Sequence, residues 1–169
     1  MYHGKMNKLY EHLNYFMNHL DMSINIEYDE EDQKIILSNK IWRKSLCIYR
    51  KEPNEIMIDN QSFLIEKEMK INDIVLWLYE KIIQYDQKSK IYEFMINIHK
   101  KYERKRKVEL NEERQIIEIE NIQLKIDEKG DIYSEENEDD YPISNISYDI
   151  NETIEWIELS LLSEVSLFE

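Results

Sequence analysis

Four histidines, one cysteine and 36 carboxylates are the side chains of this chain that could carry chemistry. A zinc ion shared along a helix needs its histidines at i, i+4. His12 and His19 are seven apart, almost two turns, and no motif brings His3, His99 or Cys47 to them. Cys47 lies in Ser45-Leu46-Cys47-Ile48-Tyr49, an alternating stretch that reads as a strand. A buried, small apolar side chain is expected there, because a thiol nucleophile needs a base and electropositive surroundings. Gly-x-Ser-x-Gly, Ser-x-x-Lys, Cys-x-x-Cys and His-Glu-x-x-His are all absent. With only Gly4 and Gly130, no glycine-rich phosphate loop can be built. Carboxylates are so numerous that spacing singles out no acid–base pair. The chain reads as a non-enzyme with no cofactor and no metal site.

Charge is more informative. The net charge of −14 over 169 residues is unevenly laid out. Residues 1–108 hold 19 Lys/Arg and 17 Asp/Glu, whereas residues 109–169 hold 3 and 19, a net of −16. The densest part is Glu135, Glu136, Glu138, Asp139 and Asp140, which reads as a mobile loop. Glu152, Glu155, Glu158 and Glu164 add charge on the polar face of a final helix. Asp127-Glu128-Lys129-Gly130-Asp131 lacks the alternating ligands and downstream glutamate of a calcium loop, and reads as a tight turn in which Gly130 takes positive φ. The opposite feature is His99–Lys107, with six Lys/Arg in nine residues, including Arg104, Lys105, Arg106 and Lys107. It sits at a helix C-terminus, where cations complement the macrodipole, and is a candidate interface for nucleic acid or for the acidic third itself.

Twelve tyrosines and three tryptophans complete the inventory. Lys40-Ile41-Trp42-Arg43-Lys44 interleaves aromatic and cationic side chains on an expected strand, which could stack a base or present a protein hot spot. Trp77 and Trp156 sit near helix starts and read as packing residues.

The elements that would position these groups follow from periodicity. Leu9, Tyr10, Leu13, Phe16, Met17 and Leu20 follow i, i+3/i+4 spacing, with Asn7 as the expected N-cap. Short strands are expected over Ile24–Tyr28, Lys34–Leu37, Ile41–Tyr49, Glu55–Ile58 and Ser62–Ile65, with a hairpin turn at Asp59-Asn60. Asn72 then caps a helix bearing Ile74, Val75, Leu78, Ile82 and Ile83. The order recurs. Asn7-Lys8-Leu9-Tyr10-Glu11 matches Ser89-Lys90-Ile91-Tyr92-Glu93 at an offset of 82, and the acidic turn 29–33 matches 111–115. Ile71-Asn72-Asp73 and Trp77 match Ile150-Asn151-Glu152 and Trp156 at 79. A small deletion in the second unit accounts for the change.

The expected fold is therefore α+β, a tandem duplication of a helix–antiparallel strands–helix unit packed into one compact body. The units span residues 1–86 and 87–169, joined rigidly at Asp86-Gln87-Lys88, with the acidic third in the second. No apolar run reaches the roughly 18 residues of a spanning helix, and the N-terminus lacks a signal-peptide core. With one cysteine and an Ala-free, Ile/Asn/Lys-rich composition, the setting expected is the cytoplasm of an AT-rich bacterium or its phage.

The functional expectation is an acidic binding protein that inhibits or modulates a basic partner, such as a nucleic-acid-binding protein or ribonucleoprotein, by charge-complementary docking. A phage-encoded, anti-CRISPR-like inhibitor of a host defence nuclease fits that description. An immunity protein or chaperone-like adaptor for a toxin or effector would use the same surface. A nucleic-acid-binding module built on Trp42, Arg43, Lys44 and Arg104–Lys107 is the alternative from a different class.

Overall fold

The computed structural model describes residues 5–19, 24–42, 44–66, 68–134 and 141–168. Among them lie three helices and two antiparallel sheets of five strands each. The order is α1 (Met6–Met17), β1 (Asn25–Asp29), β2 (Lys34–Ser38), β3 (Leu46–Glu52), β4 (Glu55–Ile58), β5 (Gln61–Leu64) and α2 (Ile71–Tyr102). There follow β6 (Val108–Asn111), β7 (Ile116–Ile119), β8 (Ile122–Ile126), β9 (Asp131–Ser134), β10 (Ser144–Asn145) and α3 (Ile150–Phe168). No helix among the described residues is long and apolar enough to cross a membrane.

The chain divides into two compact units, residues 1–89 and 90–169. In each, the strands run as a meander, every strand hydrogen-bonded to its neighbour in sequence. Alternation then sorts the side chains: Ile35, Leu37, Ile48, Ile56 and Ile58 point to the buried face of the first sheet, and Ile117, Ile119, Ile122, Leu124 and Ile132 to that of the second. The first core is completed by Leu9 and Leu13 of α1 and by Ile74, Leu78 and Ile82 of α2. The second takes Ile91, Met95 and Ile98 from α2, and Ile157 and Leu161 from α3.

The expected junction at Asp86–Lys88 is helical throughout, because α2 runs unbroken for 32 residues. No glycine or proline interrupts it, and the Ser89 hydroxyl donates to the Tyr85 carbonyl at 2.9 Å instead of capping a new helix. What the pattern registered there is a break in phase. Buried positions run through Ile74, Leu78, Ile82, Tyr85 and Ser89, then resume out of step at Ile91, Met95, Ile98 and Tyr102.

The N-caps also differ from expectation. Helix α1 begins one residue before Asn7, whose Oδ1 is buried without a hydrogen bond, and α2 begins at Ile71, one residue before Asn72. Asp73 Oδ2 instead accepts the Lys70 N–H at 2.9 Å, one half of a capping box.

The first hairpins of the two sheets share a register at the offset of 82. Ile26↔Leu37 and Tyr28↔Ile35 correspond to Val108↔Ile119 and Leu110↔Ile117. Their turns use one device: Asp29 Oδ1 accepts from Glu31 and Asp32, Asn111 Oδ1 accepts from Arg114, and Gln33 and Gln115 close the turns at φ 50° and 56°. The sheets then diverge. Eight residues separate Leu37 from its partner Leu46, whereas only two separate Ile119 from Ile122. Residues 39–42 and 44–45 thus lie off the ladder, in place of the start of the expected strand 41–49. Asn39 Oδ1 accepts the Ile41 and Trp42 N–H groups at 2.8 and 3.0 Å, which directs both amides to a side chain and away from a ladder.

One buried position in the second core is poorly used. Thr153 is 1% exposed and its hydroxyl makes no hydrogen bond, while the residue 79 positions earlier, Ile74, is wholly apolar and buried. An unsatisfied buried hydroxyl costs roughly 1–3 kcal/mol. Thr153→Val is expected to raise stability by about 1 kcal/mol, read as a higher urea midpoint with an unchanged slope.

Candidate functional site

The acidic side chains of the second unit lie on two layers. Because Glu118 alternates with buried neighbours and Glu109 with half-buried ones, they stand on the outer face of the sheet, directly opposite one another across β6 and β7 and both exposed. Like charges so placed repel, and the pairing costs stability. The Lys107 ammonium approaches Glu109 at 3.9 Å, and the Lys107 backbone N–H donates to Glu120 Oε1 at 3.2 Å. That end of the basic run therefore does meet carboxylates of its own unit.

The other layer is α3. Its buried stripe is Thr153, Ile157 and Leu161, with Asp149 as the residue before the helix accepting the Asn151 N–H at 3.0 Å. On its solvent side Glu152, Glu155, Leu159 and Leu162 fall at i, i+3, i+7 and i+10, which places them along one face. Leu159 is 60% exposed and Leu162 65%. Sequence reasoning found the carboxylates and missed the leucines. Their signal was present: α3 carries more apolar residues than a single buried stripe can hold.

Glu158, expected as a docking residue, is exposed but engaged within its unit. Its Oε1 accepts the Tyr102 hydroxyl at 2.8 Å, and Tyr102 is 2% exposed. Burial, then the hydrogen bond and the negative charge of Glu158, push the Tyr102 hydroxyl well above the ordinary 10.0, against a smaller lowering by Arg106. Glu135, Glu136, Glu138, Asp139 and Asp140 lie outside the described residues, as do Arg43 and the Glu164 side chain.

The run 99–107 terminates α2. His99 Nδ1 lies 3.3 Å from Glu103, and the Lys105 and Arg106 N–H groups donate to the Tyr102 carbonyl, closing the helix end. Arg104, Lys105 and Lys107 are exposed, and Arg106 is half-buried. The turn 127–131 forms as expected, with Asp127 Oδ1 accepting from Lys129 and Asp131 and Gly130 at φ 88°.

Trp42 and Lys44 are in the first unit, on the loop and off the strand. The Trp42 ring stacks on Tyr85 with centroids 5.2 Å apart, and the Lys44 ammonium sits 5.9 Å from the Trp42 centroid. The Tyr85 hydroxyl donates to the Lys44 carbonyl, which fastens the loop to α2. Cys47 alternates with buried Leu46 and Ile48 and is half-buried, on the outer face and outside the core. His12 and His19 are exposed, and His19 meets Tyr15 edge to face. Trp77 stacks on Phe63 at 4.8 Å, and Trp156 packs against the second core. Among the described residues no group of three His, Cys, Asp or Glu side chains is placed to hold a metal ion.

Compared with protein-family models, curated proteins and solved structures, the chain matches none.

Two tests follow from these contacts. Tyr85→Phe is expected to cost about 1–2 kcal/mol and to speed hydrogen exchange of the loop amides Ile41 and Trp42 more than that of β3. Burial raises the Tyr85 and Tyr102 hydroxyls, so the folded state holds both protons more tightly than the unfolded chain does. Their contribution is complete below pH 10.0 and is lost as the pH climbs above it. Urea midpoints measured from about pH 8 to about pH 11 should fall, and should fall less for Tyr102→Phe.

Proposed function

We propose that the protein is a non-enzymatic binding protein that docks a basic macromolecular partner through the second unit. The observation that carries this reading is the solvent face of α3, where two carboxylates lead into two exposed leucines. Carboxylates steer a basic surface into encounter, and exposed leucines supply the apolar area that slows its departure. Carboxylates spread over both layers of the unit extend the negative field, and the segment 135–140 adds five more acidic residues between β9 and β10.

A surface of this charge suits partners built to accept a polyanion, such as nucleic-acid-binding proteins, whose grooves face one phosphate charge per roughly 1.7 Å of duplex. Occupying such a groove excludes its natural ligand. The reading therefore extends to inhibition, and an inhibitor of a defence nuclease in an AT-rich host is its most specific form.

We infer too that the two units arose by tandem duplication. The shared hairpin register, the matching Asx turns and the common order of helix, five-stranded meander and helix all support it.

The experiment is capture of partners from host lysate by the tagged protein, beside Glu152→Lys/Glu155→Lys and Leu159→Ser/Leu162→Ser variants. A basic partner is expected on the native protein. Charge reversal should weaken its retention at low salt by tenfold or more, on the order of the 1.4 kcal/mol that tenfold represents, with a smaller difference at high salt. The leucine variant should lose retention at both. Equal retention by all three proteins would overturn the reading.

A further inference from the structure

The loop 39–45 is the main addition that sets the first unit apart from the second, and a cavity of about 290 Å³ lies beside it. Trp42, Tyr85, Leu46 and Ile58 supply an aromatic and apolar wall, while Asn60, Gln61 and Gln84 contribute amides. Lys81 and Lys88, at i, i+7 on α2, line the same cavity, with Asp59 as its one carboxylate. The cations therefore outnumber the anion there, in a unit whose total charge is negative.

We propose that this cavity binds a small planar anion of the mononucleotide class, a heteroaromatic ring carrying a phosphate. Three features of the lining match three parts of that ligand. The edge of the stacked Trp42–Tyr85 pair, with Leu46 and Ile58 beside it, accepts a ring edge to face and by burial. Amide side chains present a donor and an acceptor in one plane, the pattern that reads the edge of adenine. Lysines two turns apart on α2 border the cavity, and either ammonium can take the phosphate as a charge-assisted hydrogen-bond donor. Lys81 now lies 5.8 Å from the Trp77 centroid, and its long stem allows it to turn to the phosphate.

The volume suits a single nucleotide. Drug-sized ligands occupy pockets of about 300–1,000 Å³, and 290 Å³ is at the small end of that range. The wall is also held before the ligand arrives. Asn39 fixes the amides of Ile41 and Trp42, and Tyr85 holds Trp42 by stacking and Lys44 by its hydroxyl. A wall held in this way loses little entropy on binding.

Isothermal titration of the full chain with adenosine monophosphate tests this, beside adenosine, inorganic phosphate and a short oligoadenylate. Saturable binding of the monophosphate, tighter than that of adenosine or phosphate alone, is expected. Lys81→Ala/Lys88→Ala should weaken it by roughly tenfold or more while leaving the far-UV circular dichroism spectrum unchanged, since neither residue belongs to the core. Lys51→Ala/Lys70→Ala serves as a control of equal charge, with both residues exposed and outside the cavity lining, and should leave affinity as it was. Absence of saturation by the monophosphate, equal loss in both double variants, or oligoadenylate binding more tightly than the monophosphate would each overturn the proposal.

Discussion

The unbroken hydrogen-bond ladder of α2 is the feature on which both cores depend. Ile74, Leu78 and Ile82 enter the first core and Ile91, Met95 and Ile98 the second, all from one helix. An isolated helix of this length has no strong reason to stay formed in water, and most helical stability comes from burying a face. Here each half of α2 is buried by its own sheet. The polar groups at the crossover are accounted for as well: Asp86 and Ser89 are buried, and the Ser89 hydroxyl closes onto the chain four residues back. A proline in this stretch would remove a helix bond and clash with the preceding turn at a cost of about 3 kcal/mol or more, drawn from both cores at once.

The same continuity shows why sequence reading divided the helix. Periodicity reports which face is buried, and the buried face changes phase between Tyr85 and Ile91 without any change in backbone state. Two amphipathic segments are then expected where one helix exists. The strands were legible for the opposite reason. Short apolar runs in β2, β3 and β4, bounded by turn residues, mark them as strands, and turn chemistry at 29–33 and 59–60 sets their register. The loop 39–45 escaped because its signal is a single side-chain carbonyl, Asn39 Oδ1, competing for amides that alternation alone assigns to a ladder. Nothing in Lys40-Ile41-Trp42 announces that contest.

Among the candidate functional residues, charge was legible and partnership was not. The count of carboxylates after residue 108 follows from composition, but Glu158 proves to be bound to a buried tyrosine 56 residues away. Only tertiary structure distinguishes such a carboxylate from Glu152 or Glu155. Leu159 and Leu162 illustrate the reverse error. Apolar residues in a final helix are ordinarily assigned to the core, and these two became informative once the core proved complete without them.

Comparison of the two units also separates what the fold needs from what it carries in addition. Both sheets bury isoleucines and leucines at corresponding positions, and both close their first turn with a glutamine in the left-handed region. Those features recur because each unit must form a core. The features that do not recur lie outside that requirement: a fastened aromatic loop and a lysine-lined cavity in the first unit, and paired glutamates on an open sheet face in the second. Glu118 stands where the first sheet has Ile36, and it faces Glu109 across the strands. Like charges side by side do nothing for the second core. The Lys107 ammonium, 3.9 Å from Glu109, offsets part of that repulsion, and on the proposed reading a basic partner would offset the rest.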